Sequence, residues 1–103
     1  MILYLDTSSL VKLYVEENGS SYVEKLVNSS RIVATSIIAY AEARAAFARR
    51  NRETSLSDLH HDQVKKELKQ DWVNYYILHA HKDVILVAGD LAEKHALRGF
   101  DAI

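Results

Sequence analysis

The chain has 103 residues, 49% hydrophobic and 26% charged, with a formal net charge of -1, so it can bury one core and reads as a single domain over residues 1–103. That near-neutral balance excludes nucleic-acid binding by bulk charge and leaves only local patches, while the absence of cysteine excludes disulfides and thiolate chemistry. No apolar run is long enough to cross a bilayer, and the N-terminus lacks the basic region and long apolar run of a secretion signal, so a cytoplasmic protein without membrane contact is expected.

Ile2 to Leu5 is four apolar residues in a row, the pattern of a short strand covered on both faces in a parallel sheet. Thr7 or Ser8 then caps a helix whose apolar side is Leu10, Val11, Leu13 and Tyr14. Asn18-Gly19-Ser20 breaks it, and a second helix spans Ser21 to Asn28 with Tyr22, Val23, Leu26 and Val27 inward. Ile32-Val33-Ala34 is the second strand, again followed by hydroxyl residues, Thr35-Ser36. A third helix runs from about Ile37 to about Arg50, with alanines that allow close approach to its neighbours. Ser55 to Asp58 fits a capping box, and a fourth helix follows to about Lys69 on Leu56, Leu59, Val64 and Leu68. Tyr75 to Leu78 has the aromatic and β-branched character of a third strand. Val84, Val87, Ala88, Leu91, Ala92 and His95 fall at helical spacing. Gly99 marks a turn, and Phe100 to Ile103 opens a helix that the chain does not complete, so a fragment or truncated product is expected. Strands alternating with helices give an α/β fold with a parallel sheet.

Three acids stand where such a fold puts chemistry. Ligands of open parallel sheets bind beyond the carboxyl ends of the strands. Asp6 ends the first strand, Glu42 lies in the early turns of the helix after the second, and Asp101 starts a helix after the third. Each has an ordinary reading: a helix cap for Asp6, a solvated side chain for Glu42, and a first-turn acid favoured by the helix dipole for Asp101. Taken together they have another. Carboxylates gathered at one edge repel by about 1 kcal/mol per pair in water, and by several times more in a partly dry cleft. Such a cluster protonates or binds a cation. Oxygen-only ligands select Mg²⁺ or Mn²⁺, and an ion so held suits hydrolysis of a phosphodiester.

The motifs carrying these acids resemble those of a known family. Leu3-Tyr4-Leu5-Asp6-Thr7-Ser8-Ser9-Leu10-Val11-Lys12-Leu13-Tyr14 looks like the opening of PIN-domain proteins of the VapC toxin type. Thr35-Ser36 with Tyr40-Ala41-Glu42-Ala43-Arg44-Ala45-Ala46 looks like their second motif. Leu91 to His95, then Leu97 to Ile103, looks like their third. The resemblance implies a three-layer α/β/α fold, here ending after the third strand-helix unit. It implies a Mg²⁺- or Mn²⁺-dependent endoribonuclease, the toxin of a type II toxin–antitoxin pair. Asp6, Glu42 and Asp101 fall on the family's metal-binding acids, and Thr7 and Ser8 on its first hydroxyl motif. An RNA substrate, a cognate antitoxin and a homodimer are the implied partners. Members of the family continue through the helix begun at Asp101 and through further strands.

Other features compete. His60, His61, His79, His81 and His95 lack the spacing of a zinc site. Arg44, Arg49, Arg50 and Arg52 form a basic run that suits a helix C-terminus or a solvated face, with a grip on an RNA phosphate backbone as the competing reading, strongest for Arg44 beside Glu42. Trp72, Tyr75 and Tyr76 suit core packing better than base stacking. Two further functions compete with the nuclease: a non-catalytic truncated module that binds an antitoxin or itself, and, more weakly, a phosphatase using Asp6 as nucleophile. The latter chemistry favours a second acid two residues on, where this chain has Ser8.

Overall fold

The computed structural model describes residues 2–79. Within them the order is β1 (Ile2–Leu5), α1 (Thr7–Lys12), α2 (Ser20–Asn28), β2 (Ile32–Ser36), α3 (Ile37–Arg52), α4 (Asp58–Trp72) and β3 (Tyr76–Leu78). The sheet order is β1-β2-β3 and both pairings are parallel, with Leu5 opposite Thr35 and Ser36 opposite Leu78. The α/β architecture expected from alternating strands and helices is therefore present. The expected helix over Val84 to His95 and the helix start at Phe100 lie outside the described residues.

Burial deepens along the strands toward their carboxyl ends. Ile2 is 71% exposed and Leu5 only 2%; β2 runs from an exposed Ile32 to a buried Ala34, Thr35 and Ser36. The expectation that β1 is covered on both faces along its length fails at its start, because among the described residues its only strand partner is β2. The core gathers under the carboxyl ends, where Leu10 and Val11 of α1, Ala39, Ala43 and Phe47 of α3, and Val64 and Leu68 of α4 meet. The alanines of α3 act as expected: Ala39 and Ala43 are buried one turn apart, which lets α1 lie directly against the helix.

Several local expectations are corrected. Tyr22 is 68% exposed rather than inward, since α2 buries chiefly Val23. Leu59 is 83% exposed: α4 begins at Asp58, so Leu59 sits in its first turn, before the helix meets α3 through Val64 and Leu68. The cap of α4 is Ser57, which accepts from the His60 N–H at 3.1 Å, and not Ser55, whose hydroxyl turns back to the Arg50 carbonyl. The first helix ends earlier than expected, at Lys12, so Leu13 and Tyr14 lie beyond it, and Gly19 is the N-cap of α2 rather than the break of α1. Gly19 takes a left-handed φ of 94°, and a β-carbon there would lie 3.2 Å from the Lys12 side chain.

Candidate active site at the carboxyl edge of the sheet

Because β1 and β2 are parallel neighbours, the chain leaves both at the same edge. Asp6 follows β1 there and is 8% exposed. Its carbonyl accepts the Leu10 N–H at 2.9 Å, which makes it the residue that opens α1. Its Oδ1 accepts the Ser9 N–H at 2.9 Å and the Ser8 hydroxyl at 3.1 Å. Asp6, rather than Thr7 or Ser8, is thus the cap of α1, and its ordinary reading is realised. These two bonds also fix the direction of a carboxylate that is nearly out of solvent.

Thr7 has another role. Its hydroxyl donates to Glu42 Oε1 at 2.8 Å. That bond spans 35 residues and ties the start of α1 to the second turn of α3. Glu42 is partly buried and makes no ion pair among the described residues. Glu42 is therefore tied to the residue that follows Asp6 in the chain. Two further hydroxyls hold the edge in place. Thr35, fully buried, donates to the Leu5 carbonyl at 2.9 Å and locks the ends of β1 and β2 together. Ser36 accepts the Ile38 N–H at 3.3 Å and caps α3, as expected from its position. A run of hydroxyl residues after each strand thus supplies the partners of the two acids, Ser8 for Asp6 and Thr7 for Glu42.

From this edge α1 and α3 run side by side. Thr7 meets Glu42 near their starts, and Glu17, beyond α1, pairs with Arg50 near the end of α3. Glu17 also takes Lys12 at 3.1 Å. Between the helices lies an open cleft of about 450 Å³, with Thr7, Ser8 and Glu42 toward its start and Arg49 and Arg50 farther along.

Arg44 lies on another flank of α3. Two residues on from Glu42, it is turned about 200° around the helix. It donates to the Tyr40 hydroxyl at 3.1 Å and stands 5.8 Å from that ring's centre. It lines a separate groove with Lys65, Lys66 and Lys69 of α4. Trp72 packs edge-on against Tyr40 and Tyr75, as the packing reading expected, while Tyr76 is 62% exposed. Asp101 lies outside the described residues. Among those residues no group of three or more histidine, aspartate or glutamate side chains is set to hold a metal ion. Among them also, no helix is long and apolar enough to cross a membrane.

Two polar clusters escaped sequence reasoning. One is Glu17 with Lys12 and Arg50. The other joins Tyr14, Tyr75 and Asp71: the Tyr14 hydroxyl donates to Asp71 Oδ2 at 2.8 Å and lies 2.5 Å from the Tyr75 hydroxyl. Burial pushes both phenols above their ordinary range, and the neighbouring Asp71 carboxylate adds to the rise. Contacts across 57 and 61 positions leave no local trace in one sequence. The available hint was the hydroxyl on Tyr14, a polar group on an otherwise apolar helix side that needs a partner once buried.

Comparison with known proteins shows the family of the chain. The family model described as PIN domain matches residues 3–103. Ribonuclease VapC45 of Mycobacterium tuberculosis (strain CDC 1551 / Oshkosh) is 33% identical over 102 residues, covering 99% of this chain and 71% of the relative. Ribonuclease VapC49 of Mycobacterium tuberculosis (strain ATCC 25618 / H37Rv) matches with the same identity and coverage.

Proposed function

The chain belongs to the PIN-domain family, and on that premise we propose that it is a divalent-metal-dependent endoribonuclease, the toxin of a type II toxin–antitoxin pair. Its substrate is RNA, and its protein partners are a cognate antitoxin and a second copy of itself. Both relatives are named as VapC ribonucleases, which supports the activity. The observation that carries the reading is the Thr7–Glu42 hydrogen bond, which ties the acid of α3 to the residue next to Asp6.

The residues fit an ion of the Mg²⁺ or Mn²⁺ type. Asp6 is buried, Glu42 is partly buried and unmatched by any described cation, and the groups around them are hydroxyl and carboxylate oxygens. Such oxygens suit hard divalent ions. Asp6, Glu42 and Asp101 are the proposed ligands. Bound there, the ion supplies Lewis acidity, which lowers the pKa of a water and offsets charge on the phosphate.

The chain's own groups prepare that site. Ser8 and the Ser9 N–H hold the Asp6 carboxylate. Thr7, a neutral donor, holds one oxygen of Glu42, which keeps the charge of that acid for a cation. The Thr35 bond keeps the two strand ends from parting.

The test is RNA cleavage by the purified chain with and without Mg²⁺ or Mn²⁺. Cleavage that needs the ion and is lost in Asp6→Asn is the expected result. Intact RNA, together with no saturable ion binding, would reject the reading and favour the non-catalytic module.

A further inference from the structure

The cleft between α1 and α3 pairs the acids with one arginine in particular. Glu42 and Arg49 are seven residues apart, so they lie on nearly the same face of α3, separated by about 10 Å of helical rise. The positions between them on that face are Ala45 and Ala46. Two methyl side chains leave a shallow trough where longer ones would block it. Val11 of α1 closes its other side.

The two arginines at the far end of the trough are not equivalent. Arg50 is held by Glu17, which is held in turn by Lys12. Its charge is already answered. Arg49 is exposed, lines the same cleft, and makes no ion pair among the described residues. A helix C-terminus explains why an arginine is tolerated there, but Arg50 and Arg52 meet that preference as well. What singles out Arg49 is its alignment with Glu42 across a floor of alanines.

We infer that Arg49 seats a phosphate of single-stranded RNA that lies in the α1–α3 trough, on the order of two or three phosphates from the bond cut at the acids. The inference rests on the ribonuclease reading above. A guanidinium is suited to this work because its donors can take two phosphate oxygens at once. Such a contact fixes register and carries no base preference.

The experiment is steady-state cleavage of a short single-stranded RNA of mixed sequence by the full chain, at several salt concentrations. Arg49→Gln is expected to raise KM about five- to tenfold with kcat within about twofold of the parent. The slope of log(kcat/KM) against log salt should become shallower by about 0.7, the value of one lost phosphate contact on a single strand. Arg49→Lys should keep that slope. Arg50→Gln should lower thermal stability and leave the slope alone. An unchanged slope in Arg49→Gln, or equal losses in Arg49→Gln and Arg50→Gln, overturns the assignment while leaving the ribonuclease reading intact. A parent chain that cuts no RNA at any salt concentration overturns both.

Discussion

Two regions of this molecule each join a carboxylate to a hydroxyl by a 2.8 Å hydrogen bond, and they do opposite things. At the carboxyl edge of the sheet, Thr7 donates to Glu42, and beyond Thr7 stands a second acid, Asp6. Where α4 gives way to β3, Tyr14 donates to Asp71, and beyond Tyr14 stands a second phenol, Tyr75. The second cluster is complete. Burial raises both of its phenols, and Asp71 has its donor in Tyr14. In the first cluster neutral hydroxyls orient the acids, and Glu42 makes no ion pair among the described residues. A complete cluster clamps the fold. The other we read as incomplete, and on the proposed function its ligand is a divalent cation.

The largest effect should come from removing charge at the incomplete cluster. Asp6→Asn keeps a side-chain oxygen for the Ser9 N–H, so α1 stays capped and the melting temperature should hardly move. Cleavage of RNA should nevertheless fall by more than about 100-fold, beyond what loss of a supporting residue around a metal costs. A variant that melts normally and cuts normally would put both clusters in the same structural class. Thr7→Val comes next. It leaves both acids in place and removes the bond that gathers them, so activity and Mn²⁺ affinity should drop about tenfold, with Thr7→Ser restoring most of both.

The complete cluster should answer in stability alone. Tyr14→Phe is expected to cost about 1–2 kcal/mol in denaturant unfolding, because Asp71 loses a donor in a partly buried place, with RNA cleavage unchanged. The sign of its pH dependence follows from the raised phenols. Folded Tyr14 and Tyr75 keep their protons past the ordinary tyrosine value near 10, while the unfolded chain gives them up there. The folded state then binds more protons, so stability is intact below about pH 10 and falls as pH rises beyond it. Tyr14→Phe should remove part of that alkaline fall. The smallest effect belongs to a carboxylate outside both clusters, Glu17, which has cations rather than phenols. Glu17→Gln should cost about 1 kcal/mol or less, since its pairs with Arg50 and Lys12 are partly solvated, and high salt should shrink the difference further.

Sequence reasoning singled out Asp6 and Glu42 and missed the second cluster for a physical reason. Asp6 and Glu42 stand close after strands, and a parallel sheet sends neighbouring strand ends to one edge, so a rule of topology joins residues far apart in the chain. The hydroxyls were visible too, although their roles were misassigned: Asp6 caps α1, which frees Thr7 to reach Glu42. No such rule joins Tyr14 to Tyr75, or Glu17 to Arg50. Those contacts depend on how far α1 extends along α3 and where α4 ends, and periodicity does not set either distance. Leu59 and Tyr22 show the same limit from the apolar side. Each fits an inward pattern, yet the first turn of α4 and the outer face of α2 have no described neighbour there, and both side chains stay exposed.

The measurement that bears most directly on this account is calorimetric titration of Mn²⁺ into the parent chain and into Asp6→Asn and Tyr14→Phe. Saturable binding in the parent, its loss in Asp6→Asn and its persistence in Tyr14→Phe is the result the account predicts. A parent that takes up no Mn²⁺, or an Asp6→Asn chain that binds it as the parent does, would contradict it.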